Sequence, residues 1–340
     1  MREALFIKRN AEKWKKYQHE NSPSAEETAE RFLELIDDLS YARTFYPRSR
    51  VTAWINGITA SIYQNVYRNR KEKFGRIYHF WKYEIPYLFK KYHAVFLFTA
   101  CLFLVSVLMG YFANKQNPDF IRTILGDRYV DMTEANIARG EPFGVYKDEN
   151  PFSMFVTIAL NNIRVAFTIF LGGLTAGLGT IYLLWHNGVM LGSFEEIFFA
   201  NNVGMQSILV IWIHGTIEIS SIVIAGTAGL VMARGILFPG TYSRLQSFKH
   251  ATRDAVKIMI CLVPFFLVAA FLESYVTHLM SNTYSTASST GLPVWVGILI
   301  LASSLFLIVW YFVIWPIQLN RRGKFQSTQS LLQRIKLKDA

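Results

Sequence analysis

Apolar residues gather along this chain in six long runs separated by short polar or basic stretches, at about 92–113, 152–172, 174–195, 206–234, 254–278 and 292–316. At 1.5 Å of rise per residue, a helix over any of them spans a hydrocarbon layer of roughly 30 Å. Residues 1–91 hold no such run and show helical spacing instead. Ser24-Ala25-Glu26-Glu27 has the capping-box pattern and opens a helix to about Leu39, with Phe32, Leu35, Ile36 and Leu39 on one face. Pro47 separates it from a second helix over about 51–67. The pattern predicts an all-α polytopic membrane protein of about six transmembrane helices, preceded by N-terminal cytoplasmic helices.

Two of the runs adjoin. The region 152–195 is broken by Asn161, Asn162 and Arg164, then by Gly172, Gly173, Gly177 and Gly179. It reads as two spans hinged at the glycine pair. The alternative is four full spans plus a re-entrant pair. Gly173 with Gly177, and Ala225 with Gly229, have the small-xxx-small spacing that lets helices approach closely, and Gly215 and Gly226 lie in the same central run.

Charge assigns sides to the spans. Residues 1–91 hold 18 Lys and Arg against 11 Asp and Glu, whereas 114–150 hold five against seven. Arg244, Lys249, Arg253 and Lys257 form a basic loop after the fourth run, and a basic tail over 317–340 carries Arg321, Arg322, Lys324, Arg334, Lys336 and Lys338. Positive charge marks the cytoplasmic side, so both termini are expected inside the inner membrane and 114–150 outside as a polar loop. The N-terminus lacks a secretory signal, so insertion is expected to begin at the first internal span.

Composition changes the picture little. The chain is 52% hydrophobic and 17% charged, with a net charge of +11. Its basic residues lie beside spans and among aromatics, which points to anionic lipid rather than nucleic acid. In Lys73 to Tyr92, Trp81, Tyr83, Tyr87, Lys90 and Lys91 suit the headgroup layer, giving an interfacial helix over 73–91. The competing reading is a helix packed on the rest of the cytoplasmic domain. Cys101 and Cys261 fall in apolar runs and make no redox or metal motif.

Candidate chemistry lies inside the spans. His214 and Glu218 are one helical turn apart within the apolar run 208–240. A charged group there costs roughly 2.5–3.5 kcal/mol on insertion scales, so both should face other helices or water. Arg164 and Glu218 each lie roughly 18 Å from the outer ends of their spans, a match for a mid-membrane ion pair. Glu273, Asn161 and Asn162 complete the candidate intramembrane polar site. It is either a proton- or substrate-responsive cavity or a polar cluster that fixes helix register. His186 and Glu195-Glu196 lie near span ends, where they suit hydration of the interface. No Walker loop, dinucleotide fingerprint, paired-His zinc spacing or nucleophile elbow occurs, so no catalytic residue, cofactor or metal is expected.

The ordered elements Asn161-Asn162-x-Arg164-x-Ala166-Phe167, Phe170-x-Gly172-Gly173, Gly177-x-Gly179-Thr180, Asn187-Gly188-x-x-x-Gly192, His214-Gly215-x-x-Glu218, Ala225-Gly226-x-Ala228-Gly229 and Pro239-Gly240 resemble the stage II sporulation protein M family. Phe6-Ile7-x-Arg9-Asn10 with Trp14 resembles its longer members. The resemblance implies a non-enzymatic integral membrane protein, a scaffold or anchor that works with cell-wall-cleaving partners. Other membrane or envelope proteins are the expected partners, and small-residue faces permit a homo-oligomer. The runner-up is a transporter-like subunit working with a separate ATPase. A membrane enzyme using one His and two Glu is third.

Overall fold

The computed structural model describes residues 2–19, 25–67, 75–144, 150–285 and 291–324. Ser24 of the expected capping box, Lys73 and Phe74 of the aromatic segment, residues 286–290, and Arg334, Lys336 and Lys338 of the tail lie outside the described residues. All described secondary structure is helical. The chain divides into two compact units, Met1–Arg76 and Ile77–Ala340.

The first unit has three helices, α1 (Glu3–His19), α2 (Ala25–Phe45) and α3 (Arg50–Tyr67). Phe6 and Trp14 of α1 meet Leu35, Leu39 and Ala42 of α2 and Val51, Ile55 and Ile58 of α3 in one core. Leu35, Leu39 and Ala42 recur at i, i+4 and i+7, a single narrow stripe. Phe32 is only half-buried and Ile36 is exposed, so the apolar face predicted for α2 is rotated by about one residue. Trp14 is fully buried, edge-on to Phe6 and Trp54. Its indole N–H donates to Asp38 at 2.8 Å, which leaves no buried donor orphaned.

The second unit begins with α4 (Gly75–His79), a π-helical turn Phe80–Glu84 and α5 (Ile85–Lys91). Ile85, Leu88 and Phe89 are buried in the main core, and Trp81 packs on Phe265 and Tyr311. Glu84 accepts from Lys257 at 2.8 Å and Lys91 donates to Asp254 at 2.6 Å. The segment is therefore packed against the helix bundle along part of its length. Lys90, Tyr83 and Tyr87 are left half-buried beside it.

Among the described residues, five helices are long and apolar enough to cross a membrane. They are α6 (His93–Gln116), α9 (Pro151–Leu171, prolonged by a 3₁₀ turn to Thr175), α11 (Gly204–Leu237), α12 (Arg244–Phe271, prolonged to Thr283 by π-helical Leu272–Thr277 and α13, His278–Thr283), and α14 (Val294–Val309, prolonged to Arg321 by π-helical Trp310–Ile314 and α15, Trp315–Arg321). Between α6 and α9, the expected polar loop contains α7 (Phe120–Leu125) and α8 (Asp127–Ala138). Arg122 organises it, with Asp131 at 2.5 Å, Glu134 at 3.0 Å, Asp127 at 3.6 Å and Asp119 at 3.7 Å.

The remaining run forms α10 (Leu178–Ala200), whose polar residues keep it below the apolarity of the five. Packing shows that it traverses the bundle all the same. Gly188 meets Ser106, Gly192 meets Val107, and Asn114 bonds Glu196, so α10 runs parallel to α6. Thr180 lies on Gly229, Leu184 on Gly226, and Glu195 bonds Ser207, so it runs antiparallel to α11 over nearly all its length. Helices α6, α9, α10, α11, α12 and α14 thus pass back and forth six times, with Tyr92 and the α11–α12 turn at one end.

The α9–α10 reversal falls at the predicted glycines. Gly172–Thr175 is 3₁₀, Ala176 has φ 54° and Gly177 has φ 89°, a left-handed conformation that costs glycine nothing. A Cβ on Gly173 would collide with the Gly229 backbone, so α9 and α11 meet backbone to backbone here. Gly226 and Gly229 also face α10, and Ala225 is fully buried. Gly172 and Gly179 close on each other across the turn. Gly215 differs: only Ile211 of its own helix lies within reach of a Cβ, so it makes no close helix contact.

The basic loop expected around residues 244–257 is instead the first turns of α12. Only Phe238–Ser243 connects the helices, and Ser243 caps α12 by accepting from Gln246 N–H. Central position belongs to α11, with 61% of its apolar stretch buried against at most 39% in the other four.

Candidate functional site

The site forms where α11 faces the π-helical stretch of α12, with α9 alongside. His214 lies about 15 Å along α11 from Gly204, and Glu218 follows one turn later. Glu273 and Thr277 lie four residues apart within the π-helical turn Leu272–Thr277, so they share one face, and both reach His214. His214 Nε2 stands 3.9 Å from Glu273 Oε1, and Nδ1 is 2.9 Å from Thr277 Oγ1.

These contacts favour one imidazole tautomer, the one in which Thr277 donates to the Leu272 carbonyl. The single hydroxyl proton of Thr277 is donated to the Leu272 carbonyl at 3.2 Å. Thr277 Oγ1 therefore accepts from His214 Nδ1–H. Nε2, on the side of the two carboxylates, carries the lone pair. His214 is 4% exposed, and Glu218 and Glu273 are partly buried. The ligand-capable atoms of all three lie within 4.8 Å of one another.

Asn162 of α9 interacts with Glu218, while its Nδ2 is buried without a hydrogen-bond partner. Arg164 is exposed and pairs with no carboxylate among the described residues, which corrects the expected Arg164–Glu218 ion pair. The reason is helical phase. Asn162, Ala166, Ile169 and Phe170 form the buried face of α9, and a residue two positions from Asn162 points about 200° away. Asn161 is exposed for the same reason.

Two neighbours at this end carried no signal in a linear reading. Tyr129 of α8 lies near Glu273; burial first, and then this carboxylate, push its phenol above its usual range. Phe143 stacks on Phe198 and packs with Ile213 and Met280, while its carbonyl accepts from Ser281 at 3.2 Å. The segment after α8 therefore lies across this end of the bundle.

Glu195 and Glu196 do not hydrate an interface. Glu195 accepts from Ser207 at 3.0 Å and from the Trp212 indole at 2.8 Å. Glu196 accepts from Asn114 at 2.6 Å. Both are buried and join α10 to α11 and α6. His186 is exposed beside Tyr182. Gly188 and Gly192 of α10 are themselves a small-xxx-small pair, and with Gly110 they form the α6–α10 seam.

Six traversing helices around a buried His–Glu–Glu group define a polytopic α-helical membrane protein with a polar centre. The family model "Stage II sporulation protein M" matches residues 99–278, the part that contains every residue of that centre. The chain belongs to the stage II sporulation protein M family. A second model, "Domain of unknown function (DUF8413)", matches residues 4–68, which coincide with the three-helix unit. The chain is similar to "Uncharacterized protein MJ0793" of Methanocaldococcus jannaschii, 27% identical over 125 residues, 36% of this chain and 70% of that protein. No solved structure matches it.

Proposed function

We propose that the protein is a non-enzymatic scaffold or anchor in an envelope-associated complex of the cell-wall-remodelling type. It sits in the cytoplasmic membrane with both termini inside, as the basic groups at one end of the bundle suggest: Lys91, Arg244, Lys249, Arg253, Lys257 and Arg321. The observation that carries the reading is the division into a three-helix unit with its own aromatic core and a bundle whose helices meet backbone to backbone at Gly173, Gly192 and Gly110. Such contacts favour a fixed platform over helices that rock. The three-helix unit is the natural place for a soluble partner to dock, and its recess between Lys16, Glu26, Glu30 and Glu34 offers charged recognition.

A second reading is a transporter-like subunit with a separate ATPase, favoured by the polar centre at His214, Glu218 and Glu273. Purification of the full chain from its host, with mass spectrometry of what accompanies it, separates the two. The scaffold reading expects a stoichiometric envelope partner that is lost on removal of residues 2–67 and kept in Glu218→Gln. An ATPase as sole partner, with loss of complementation by Glu218→Gln at normal abundance, sinks it.

A further inference from the structure

We infer that His214, Glu218 and Glu273 bind one divalent first-row transition cation of the zinc class, held between α11 and α12. One imidazole nitrogen and two carboxylate oxygens within 4.8 Å of one another can close on a single ion by small side-chain rotations. Ligands at about 2.1 Å around a tetrahedral ion stand about 3.4 Å apart. Nε2 of His214 is the correct donor atom, because Thr277 accepts the Nδ1 proton and so orients the ring as the outer partner of a metal-bound histidine does.

Charge makes the same case independently. Two carboxylates stand together inside an apolar bundle, and no Lys or Arg forms an ion pair with either among the described residues. Repulsion and desolvation both oppose that arrangement. A dication brings the trio to neutrality with no further residue. Asn162 supplies the second pointer. Its Nδ2, in a side chain 5% exposed, faces Glu218 without reaching hydrogen-bond geometry, so a water completing the metal's coordination would satisfy it.

Donor chemistry narrows the ion. Imidazole disfavours calcium and magnesium, which take oxygen ligands, and the absence of thiolate from the trio disfavours copper(I). Zinc, manganese, iron(II) and cobalt(II) fit, with zinc binding more tightly than the other three. The ion would staple the centre of α11 to the widened turn of α12. This holds whether the protein anchors or transports, so its failure is separate from failure of the scaffold reading.

The test uses the full chain with a tag free of histidine, solubilised without added chelator or metal. Elemental analysis by plasma mass spectrometry should find about one zinc-class ion per chain. Cobalt(II) titration of chelator-treated protein should give saturable d–d absorption that zinc displaces. Glu218→Gln and Glu273→Gln, checked for helicity and elution volume, should each lose the ion, whereas Glu195→Gln should keep it. If the ligand variants fail to fold, Thr277→Val still decides, since it leaves the ligands and should weaken cobalt binding roughly 10- to 100-fold. Wild-type protein that takes up neither zinc nor cobalt overturns the inference, as does an ion that persists in both glutamine variants.

Discussion

Asn114, at the end of α6, donates its amide to Glu196 of α10 at 2.6 Å while its side-chain carbonyl accepts from Ile121 N–H at 3.0 Å. Two membrane helices and the start of the following polar segment are thus tied by one side chain that is 2% exposed. Asn114→Ala strands a buried carboxylate and should cost about 1–3 kcal/mol. Asn114→Asp puts a second acid beside Glu196 and should cost more than the alanine variant. Thermal unfolding in detergent orders the two, and equal midpoints for both variants and wild type would refute the link.

The relay from His214 through Thr277 to the Leu272 carbonyl predicts a contrast between two substitutions. Thr277→Ser keeps the hydroxyl and gives up one buried methyl, so it should cost about 0.8 kcal/mol. Thr277→Val leaves the Nδ1–H of a buried imidazole without its acceptor, at about 1–3 kcal/mol. Matching melting curves for serine and valine would show that the hydroxyl does nothing there.

Arg164 lies on the opposite face of α9 from Asn162. Arg164→Ala should therefore leave stability within about 0.5 kcal/mol. The same readout on Asn162→Leu, which places an apolar group against Glu218, should show clear destabilisation. A larger loss from Arg164→Ala than from Asn162→Leu would restore the mid-membrane ion pair.

Backbone contact at Gly173 and Gly192 leaves no room for a side chain. Gly173→Val and Gly192→Val should each destabilise by at least about 1–3 kcal/mol, as overpacking does. Gly215→Ala meets only Ile211 of its own helix and should be neutral or mildly stabilising through helix propensity. Yield of monodisperse protein from membranes checks all three.

In the three-helix unit, Tyr17 donates to Glu34 at 2.8 Å. Burial first, then this bond and the Glu34 charge, raise its phenol from 10.0 to about 12. A folded-state value above the unfolded one stabilises the unit while the phenol is neutral. That contribution is complete below pH 10.0 and lost as pH climbs through about 12. Difference absorbance between wild type and Tyr17→Phe should show this tyrosine ionising near pH 12; a midpoint near 10 would count against the bond.

Runs of apolar residues made the six traverses readable, because span length is set by the bilayer and not by tertiary detail. The α9–α10 break was equally plain, since Gly172, Gly173 and Gly177 permit what other residues resist. The polar centre was half legible. His214 and Glu218 share a helical face by spacing alone, and Glu273 was placed near them by depth. Arg164 misled because depth says nothing about azimuth, and the buried stripe of α9 passes through Asn162 instead. Thr277 was invisible: it shares a face with Glu273 by spacing, but a threonine in an apolar run does not announce which side chain its hydroxyl will meet. Glu195 and Glu196 were misjudged because their donors, Ser207, Trp212 and Asn114, come from other helices.

Pro86 has no N–H, and Ile85 N–H already reaches back to Phe80, so the carbonyls of Trp81 and Lys82 are left open within the π-helical turn. Tyr311 O–H takes the first at 2.7 Å and Trp315 Nε1–H the second at 3.3 Å, from 230 and 233 residues downstream. At about 5–20 residues per second of synthesis, that interval lasts roughly 10–50 s. These two carbonyls at the start of the membrane unit must therefore wait for the last helix before they are capped. Until then the segment is held to the bundle only by groups made earlier, chiefly Lys257 on Glu84 and Asp254 on Lys91.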